Sequence, residues 1–484
     1  IKISCTLLSN FCTKCHLKWQ KLDIRFCTGF LINFGINLIL LCRNFAHADI
    51  YQYAALHSSS IQPYFVDGMG RNLTDFDATN AQKIWMLVRH GSRTAKPRET
   101  TAFKSMENGL RKEIIENCGR GTCGIERDNL KKLKEWTWDD TYDHDRTLTE
   151  SGTEEIGKIA GNYRKEFSNF FNLRFDESNF NIIYTNRSRS EQSAYAFYSN
   201  RIFKGNMEKM LKRATEEDQE MIKAYTDDNL YDVKNKVYEN METHWVNQYL
   251  KTVEFETVIE DVNERLGFGR FKGEDERERV MNMYNLCRYE GTWKPKGKSV
   301  WCSMFTMLEL LVLEYSKDLH SYSENGPSDD LNKIVQCPSV RDMVDKLSTR
   351  EGPKVTTYFT HSPAILLHLT AMGAYLEEKL SISSYQHSMN RKWQTSIITP
   401  MAANLAAVLH KDNSVKFYLN GKALNIPGCV GHSCSLDFLK QMKVKCKPEE
   451  CNRIRKIFDA RVKPLKEKYG TKQKKGKKEK NQKK

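Results

Sequence analysis

The chain has 484 residues, which is long enough to bury a large core as one α/β domain or as a core carrying an inserted domain. Hydrophobic residues make up 39% and charged residues 28% of the chain, a balance that excludes an intrinsically disordered protein. The formal net charge of +15 is spread unevenly, because residues 464–484 contain ten Lys and two Glu. We expect these residues to form a Lys-rich disordered tail that can contact polyanions, and the folded part to be only mildly basic.

Residues 1–48 carry the features of a leader and signal peptide. An apolar run over 26–42 follows three basic residues, and Ala46 and Ala48 match the small-residue cleavage pattern. An uncleaved membrane anchor is the alternative, but 17 residues are at the short limit for a span and two Asn interrupt the run. We therefore expect cleavage after Ala48, no stable membrane insertion, and a protein of the secretory pathway, secreted or in the lumen of the endoplasmic reticulum.

The first predicted strand ends in a cluster of basic residues. The apolar residues Ile84–Val88 run directly into Arg89 and His90, and Gly91 and Arg93 follow. Such a run predicts a strand buried on both faces, and the glycine allows the chain to turn where α/β sheets bind ligands. Arginines can hold phosphate oxygens while a neutral imidazole attacks phosphorus. A His flanked by Arg is a poor core arrangement, since buried guanidiniums are costly unless they are paired. The strand that precedes the motif favours a phosphate site over a surface His in a basic loop.

The segment after this strand is charged and predicts helices and loops over the site. Lys96 and Arg98 are either further phosphate contacts or part of a solvated face. From Thr149 to about Phe170 the pattern predicts a helix.

A second site segment follows the short predicted strand Asn181–Tyr184. The spacing of Ser188 and Glu191 is that of a capping box, which predicts a helix starting there. Arg189 would then lie at a helix N-terminus, where backbone N–H groups also favour anions. Residues 200–345 are charged and largely helical in pattern, so we interpret them as a helical cap inserted between strands.

The third predicted strand, Val355–Phe359, is rich in β-forming residues and ends at His361. Pro363 can occupy the first position of a helix that follows. A structural histidine is the simplest alternative, but His90 and His361 stand at matching strand ends, which favours a shared site. Residues 400–409 predict a further core element.

Cysteine usage agrees with secretion. Nine cysteines follow residue 48, and three pairs are five apart in sequence: Cys118 with Cys123, Cys429 with Cys434, and Cys446 with Cys451. Such spacing suits small disulfide loops in an oxidising compartment. Cys287 and Cys302 can form a fourth pair, which leaves Cys337 odd. Zinc-ligand spacing is absent from these pairs, so we predict no metal. Asn72 begins a glycosylation acceptor, as expected of a secreted glycoprotein.

Together these segments resemble the histidine phosphatases, whose signature is Arg-His-Gly-x-Arg after the first strand. Three further segments are similar to family motifs: Leu148–Gly152 to Leu-Thr-x-x-Gly, Arg189–Ala194 to Arg-x-x-x-Ser-Ala, and Phe359–His361 to the late catalytic-His segment. Residues 301–303 and 400–405 are similar to the multiple inositol polyphosphate phosphatase branch. The resemblance spans roughly residues 80–440.

The resemblance implies a three-layer α/β fold with a mostly parallel sheet flanked by helices. The domain would cover 49–463, with the inserted, mostly helical cap over roughly 200–345. The catalytic residues would be His90, which forms a phosphohistidine, and His361. The phosphate-binding residues would be Arg89, Arg93 and Arg189. The resemblance also implies inositol polyphosphates, including inositol hexakisphosphate, as substrates. No cofactor is required, because arginines supply the positive charge.

The chain departs from the family pattern at two places. Ala95 stands where the family has Pro, and Ser362 and Pro363 follow His361 where the family has a carboxylate that protonates the leaving alcohol. Losing a general acid typically costs about 10²–10⁴ in rate. The alternative to an active phosphomonoesterase is therefore a catalytically impaired pseudophosphatase that binds phosphorylated ligands. A third hypothesis is a heparin- or nucleic-acid-binding protein that works through the Lys tail. For the phosphatase we expect no specific nucleic acid partner.

Overall fold

The computed structural model describes residues 50–66, 74–199, 207–227, 229–271, 273–293, 298–376, 379–382 and 391–469. Within this part of the chain, eight strands form one sheet. In chain order they are β1 Ala81–Arg89, β2 Phe180–Tyr184, β3 Leu211–Arg213, β4 Val355–Thr360, β5 Asn404–His410, β6 Ser414–Leu419, β7 Lys422–Leu424 and β8 Ser433–Ser435. The predicted leader over 1–48 and the glycosylation acceptor at Asn72 lie outside the described residues.

β1 lies at the centre of the sheet, between a parallel and an antiparallel half. The strand order is β3, β2, β4, β1, β5, β6 and β7, with β8 paired to β6. The pairs among β3, β2, β4 and β1 are parallel, whereas β5 to β8 pair antiparallel. Trp85 to Val88 are fully buried, which is why β1 reads as an unbroken apolar run. The predicted α/β sheet flanked by helices is confirmed, as a mixed sheet in which β3, β2, β4 and β1 form the parallel half.

Helices cover both faces of this sheet. In chain order they are α1 Ile50–Leu56, α2 Pro97–Asn108, α3 Leu110–Gly119, α4 Arg127–Glu135, α5 Glu150–Glu166, α6 Ser168–Phe171, α7 Ser188–Tyr198, α8 Met207–Met210, α9 Glu216–Ile222, α10 Ala224–Asp227, α11 Asn229–Asn240, α12 Trp245–Tyr249, α13 Val253–Arg265, α14 Glu274–Trp293, α15 Met307–Asn325, α16 Asp330–Val335, α17 Cys337–Ser348, α18 Ser362–Ala371, α19 Thr395–Ile398, α20 Leu436–Lys445 and α21 Pro448–Tyr469. None of the helices in the described ranges combines the length and apolar composition needed to cross a bilayer.

Two hydrophobic cores lie on opposite faces of the sheet. Trp85 and Leu87 of β1 belong to the core that contains Leu366 of α18. Met86 belongs to the other core, together with Ile156 of α5. Alternate side chains of β1 therefore enter different layers, as a three-layer architecture requires.

The insertion, residues 199–354, is mostly helical but is joined to the sheet more closely than a separate cap would be. β3 lies inside it and extends the sheet by pairing with β2. α17 continues past residue 345 to Ser348, and its Asp342 accepts a hydrogen bond from the indole N–H of Trp85 in β1 (2.8 Å). Both ends of the insertion therefore contribute to the α/β core.

Four disulfides link described residues, and one differs from the pairing expected from sequence spacing. The three that agree are Cys118–Cys123, Cys287–Cys302 and Cys429–Cys434. The expected Cys446–Cys451 pair is wrong, because Cys446 bonds to Cys337 and Cys451 is a buried free thiol. The reason is tertiary: α17 packs against α20 and brings the two distant cysteines together.

The expected boundary at residue 463 falls inside a helix. α21 continues to Tyr469, because Val462 is buried and Leu465, one turn later, packs against the same core. The prediction of disorder is therefore wrong for the first six residues of the tail. Residues 470–484 lie outside the described part of the chain.

Candidate active site

The segment that carries His90 leaves the sheet at the carboxyl end of its central strand. The backbone N–H of His90 donates to the carbonyl of Thr360 in β4 (3.2 Å). On the other side, the N–H of Arg89 donates to Ala403 (2.7 Å), and the carbonyl of His90 accepts from Ala402 (3.0 Å). Hydrogen bonds to both neighbouring segments therefore hold the backbone of His90 in place.

The turn after β1 packs against the start of α5 with no room for a side chain. A Cβ on Gly91 would lie 2.3 Å from the carbonyl oxygen of Gly152, and a Cβ on Gly152 would lie 2.2 Å from that of Ser92. Thr149 secures this contact, because its backbone N–H and its hydroxyl both donate to the carbonyl of Ser92 (2.9 and 3.0 Å). The Leu-Thr-x-x-Gly segment therefore packs against the His90 turn and fixes its position.

Glu155 of α5 fixes the same turn. Its Oε2 accepts hydrogen bonds from the backbone N–H and the hydroxyl of Ser92 (3.0 and 2.8 Å), and its Oε1 accepts from the backbone N–H of Tyr64 (2.8 Å). Burial raises the pKa of the Glu155 carboxyl, and these hydrogen bonds oppose that shift. Both oxygens are occupied, so Glu155 is a positioning residue.

The imidazole of His90 is held in one tautomer. The residue is 3% exposed, and its Nδ1 lies 2.8 Å from the carbonyl oxygen of Gly91. A carbonyl can only accept, so Nδ1 carries the proton and Nε2 keeps its lone pair. Burial, reinforced by Arg89 and Arg189, keeps the pKa of His90 well below its ordinary value. The ring is therefore neutral at neutral pH, and the lone pair of Nε2 is free to act as a nucleophile.

His361 stands beside His90 at the end of the neighbouring strand. The ring centroids are 5.3 Å apart. Nδ1 of His361 lies 3.3 Å from Nη2 of Arg189, and Nε2 lies 3.1 Å from Oγ1 of Thr185. A guanidinium can only donate, so Nδ1 accepts and the Nε2–H donates to Thr185. Burial, followed by the charge of Arg189, keeps the pKa of His361 well below its ordinary value.

Arg89, which is buried, and Arg189, which is half-buried, lie beside the imidazoles. Arg89 donates from Nη1 to the carbonyls of Ser60 (2.5 Å) and Thr399 (2.6 Å). Arg189 lies in the first turn of α7, which begins at Ser188 without forming the expected capping box. Within the described chain, the buried Nε of each arginine has no acceptor. Unpaired buried N–H groups are costly, so both guanidiniums suit an anionic ligand.

Arg93 contacts Tyr289, a residue of the helical insertion. Its Nη1 donates to the carbonyl of Thr94 (2.7 Å) and to the hydroxyl of Tyr289 in α14 (3.3 Å). The Arg93 guanidinium also lies 5.8 Å from the centre of the Tyr289 ring. The position of the third arginine therefore depends on a side chain from the helical layer.

These side chains line one cavity of about 540 Å³. All five predicted site residues lie on its wall: Arg89, His90, Arg93, Arg189 and His361. Nine described cationic side chains line it against two carboxylates, Glu99 and Glu324; the cations are Arg89, Arg93, Lys96, Arg146, Arg187, Arg189, Lys223, Arg288 and Lys317. Such an excess of one charge concentrates anions in the cavity.

Five of the nine cationic residues were not anticipated from the sequence: Arg146, Arg187, Lys223, Arg288 and Lys317. Lys96 lines the cavity, whereas Arg98 is not among its described lining residues. Only Lys317 left a signal in the sequence, as a lysine within the apolar pattern of α15. The others lie on polar segments whose orientation only the tertiary structure decides.

The crowded positive charge lowers the pKa values of the cavity's basic groups. Burial and the charge of Arg93 lower the pKa of Arg89 to about 9 and that of Arg189 to about 10. Burial, with Arg288 nearby, lowers the pKa of Lys317 to about 7. A bound polyanion would relieve this mutual repulsion, so the electrostatics favour such a ligand.

The residues after His361 provide no carboxylate. The hydroxyl of Ser362 donates to Oγ1 of Thr399 (2.9 Å), and Pro363 lies in the first turn of α18. This end of the cavity therefore lacks an acid at the place where the family pattern has one.

One group of described side chains could hold a metal ion. Glu239, His320 and Glu324 each bring one ligand atom within 4.8 Å of the others. His320 and Glu324 form a pair at 3.5 Å on α15 and lie on the cavity wall. Since Glu239 and His320 are exposed, the group equally suits a solvated ion pair, and the absence of a metal stays a prediction.

The chain matches known proteins over most of its length. The family model described as Histidine phosphatase superfamily (branch 2) matches residues 82–420. Multiple inositol polyphosphate phosphatase 1 of Drosophila melanogaster is 28% identical over 383 residues, which cover 75% of this chain and 79% of that protein. Thiamine-repressible acid phosphatase of Schizosaccharomyces pombe is 23% identical over 413 residues, which cover 80% of this chain and 86% of that protein.

Solved structures share the fold. The phytase from D. castellii is 19% identical with a TM-score of 0.63, and the match covers 84% of this chain and 88% of that chain. The multiple inositol polyphosphate phosphatase of Bifidobacterium longum, in complex with inositol hexasulfate, is 14% identical with a TM-score of 0.54, covering 79% and 96%. The resemblance inferred from the motifs is confirmed. The chain therefore belongs to branch 2 of the histidine phosphatase superfamily, and it is an enzyme of the histidine acid phosphatase type.

Proposed function

We propose that the protein is a phosphomonoesterase that works through a phosphohistidine at His90. The observation that carries this proposal is the state of the imidazole. Its Nδ1–H donates to the carbonyl of Gly91 at 2.8 Å, which leaves Nε2 to attack phosphorus. Because burial keeps the pKa of His90 low, little of the ring would be protonated and unreactive even in mildly acidic solution.

The cationic groups around His90 would hold the phosphoryl oxygens. Arg89, Arg93 and Arg189 line the same cavity wall as the nucleophile, and His361 lies beside it. Fixed positive groups of this kind stabilise the charge that develops on the oxygens during transfer, so the step requires no cofactor. Water would then attack the phosphohistidine, releasing inorganic phosphate and restoring His90.

Inositol polyphosphates, including inositol hexakisphosphate, are the substrates we propose. A cavity of about 540 Å³ with nine cationic side chains can receive one phosphate at His90 while other cations contact the remaining phosphates. The Drosophila relative is a multiple inositol polyphosphate phosphatase, which agrees with this size and charge.

A second candidate is a catalytically impaired pseudophosphatase that binds phosphorylated ligands. The specific observation in its favour is that Ser362 and Pro363 occupy the place of the family's acid. Such a protein would bind inositol hexakisphosphate through the same cations but would not release its alcohol at a useful rate.

We also propose that the protein acts in the secretory pathway, either secreted or in the lumen of the endoplasmic reticulum. Four disulfides among described residues support an oxidising compartment. The Lys-rich residues 470–484 would contact polyanions without taking part in catalysis. Their removal should weaken binding to an anionic resin and leave turnover unchanged.

Trapping the phosphoenzyme tests the proposed function. The enzyme is mixed rapidly with radiolabelled inositol hexakisphosphate and quenched in alkali, in which phosphohistidine survives. We expect label on the wild-type protein and none on the His90→Ala variant. Equal labelling of both proteins would contradict the proposal. Binding of the ligand with neither label nor released phosphate would favour the impaired pseudophosphatase.

A further inference from the structure

We propose that Glu99 is the general acid of this enzyme, in place of the carboxylate that is missing after His361. This inference rests on the proposed function, because an acid is needed only if an alcohol is expelled. Glu99 lies on α2, far in sequence from the family's late His segment, and lines the same cavity.

Only two carboxylates are among the described residues that line the cavity, Glu99 and Glu324. Glu324 pairs with His320 at 3.5 Å. Burial raises the pKa of Glu324, but the hydrogen bond and charge of His320, together with the charges of Lys234 and Lys96, lower it overall. A carboxyl held in its ionised form is a poor proton donor. Glu155 is close to the nucleophile, but three hydrogen bonds occupy its two oxygens, and it is not part of the described cavity wall.

Two hydrogen bonds through Tyr289 connect Glu99 to Arg93, one of the arginines proposed to hold the phosphate. The hydroxyl of Tyr289 donates to Oε2 of Glu99 (3.1 Å), and the same hydroxyl accepts from Nη1 of Arg93 (3.3 Å). Arg93 would hold oxygens of the phosphate, and the leaving oxygen is bonded to the same phosphorus. Because only two hydrogen bonds separate the Glu99 carboxyl from this guanidinium, we assign Glu99 to that oxygen, directly or through one water.

The Glu99 side chain is fixed on one oxygen and available on the other. Oε2 also accepts from the backbone N–H of Lys96 (3.0 Å), which completes a capping box at the start of α2. Oε1 accepts no hydrogen bond from the described part of the chain and is the oxygen we assign to the substrate. This combination of a held side chain and an open oxygen is what a proton donor requires.

In the proposed step, Nε2 of His90 attacks phosphorus as the bond from phosphorus to the ester oxygen breaks. The electron pair of that bond goes to the oxygen, which takes the proton of the Glu99 carboxyl and leaves as the inositol alcohol. The Glu99 carboxylate then takes a proton from the water that attacks the phosphohistidine. Inorganic phosphate leaves, and both residues return to their starting states.

The test compares two leaving groups. Inositol hexakisphosphate needs a proton to release its alcohol, whereas the nitrophenolate of p-nitrophenyl phosphate leaves unaided. In Glu99→Gln, the release rate from inositol hexakisphosphate should fall by about 10²–10⁴, while the first turnover of nitrophenolate should change little. Asp218→Asn is the matched control, because Asp218 closes an equivalent capping box on α9 away from the cavity. It should leave both rates unchanged.

A second variant guards against a fold defect. In Glu99→Ala, the release rate from inositol hexakisphosphate should fall to the same degree. Added formate should restore part of that rate by supplying an external acid. Unselective loss on both substrates, or no loss at all in an active enzyme, would overturn the assignment. So would a selective loss in Tyr289→Phe or Lys317→Met with none in Glu99→Gln. A wild-type enzyme that acts on neither substrate would reject the proposed function itself, which the phosphoenzyme trap reports separately.

Discussion

Gly91 and Gly152 lie back to back: a Cβ on Gly91 would be 2.9 Å from the Cα of Gly152 and 2.3 Å from its carbonyl oxygen. The first glycine follows His90, the proposed nucleophile, and the second lies in the first turn of α5. Since packed backbone cannot yield without moving as a unit, the position of His90 depends on a residue in another element.

Gly152→Ala should therefore displace the His90 turn. We expect a loss of about 1–3 kcal/mol in the free energy of unfolding, as in other overpacked sites, and a fall of up to about 10²-fold in kcat from misplacement of the nucleophile. Denaturant titration and steady-state kinetics measure the two effects. The control is Gly157→Ala on the same helix, where a Cβ meets nothing within 4 Å. The free energy of unfolding of that variant should rise by about 0.5–1 kcal/mol, and its activity should be unchanged. Wild-type kinetics in Gly152→Ala would contradict the role of α5 in positioning the His90 turn.

The second prediction concerns stability in acid. Burial lowers the pKa of His368 to about 3; its Nδ1 lies 2.6 Å from Oγ of Ser339, and its Nε2 has no acceptor among described residues. Above pH 6.5 the ring is neutral both folded and unfolded. As pH falls from about 6.5 towards 3, only the unfolded chain takes up this proton. The folded state therefore loses up to about 1.4 kcal/mol per pH unit from this group.

His368→Asn keeps an atom near the position of Nδ1 and removes the titration. Its free energy of unfolding should fall less steeply between pH 6.5 and 4 than that of the wild type, even if it is lower overall. Urea titrations at several pH values measure the slope. Identical slopes would mean that His368 does not contribute. His90 and His361, whose pKa values are lowered in the same direction, remain in both proteins.

The third prediction concerns the anion site. A non-hydrolysable polyanion such as inositol hexasulfate should raise the Tm of the protein, because it relieves the repulsion between the buried guanidiniums. At a concentration of 100 times Kd the gain should be about 2.7 kcal/mol. Arg189→Leu should reduce this gain strongly, since Arg189 lines the cavity beside His361. Arg174→Leu, at a side chain that is 88% exposed, should leave it unchanged; an equal loss in both variants would indicate unspecific charge attraction.

The fourth prediction concerns the disulfide between α17 and the segment after α20. Cys337→Ser should lower the free energy of unfolding by about 2–5 kcal/mol, because the Cys337–Cys446 bond closes a long loop. Cys451→Ser should have a much smaller effect, since Cys451 is unpaired. Peptide mapping without reduction identifies the bonded pair. A Cys446–Cys451 peptide would contradict the structure.

The three strand ends that carry the site could be predicted from sequence, because local patterns encode each of them. Ile84–Val88 is apolar without interruption, and the β-rich run at Val355–Phe359 leads directly to His361. What brings His90 beside His361 is the parallel register that pairs Arg89 with Thr360. That register follows from the whole sheet, whereas the sequence suggested a shared site through the matching strand ends and the family resemblance without giving the register.

The cations of the insertion and the position of the acid could not be predicted. Arg288 and Lys317 lie on helices whose orientation is decided by tertiary packing. Only Lys317 stands out locally, as a lysine within an apolar pattern, and that pattern does not show that its side chain faces a cavity. Glu99 reads in the sequence as an ordinary helix-start glutamate. Its link to Arg93 depends on Tyr289, which is distant in the chain. The pairing of Cys337 with Cys446 could not be predicted either, because the two cysteines are distant in the chain.

The direct pairing of β2 with β4 has a consequence for how such an enzyme can diversify. Phe180 lies opposite Val355, although all of the insertion separates them in sequence. The entropy of closing a loop grows only slowly with its length, so the two strands can pair whatever connects them. His90, the proposed nucleophile, and His361 come from outside the insertion, whereas Lys223, Arg288 and Lys317 come from within it. Exchange of this one segment between relatives could therefore retune which phosphate esters enter while the chemistry is inherited unchanged, provided that the replacement keeps a hydroxyl where Tyr289 supports Arg93.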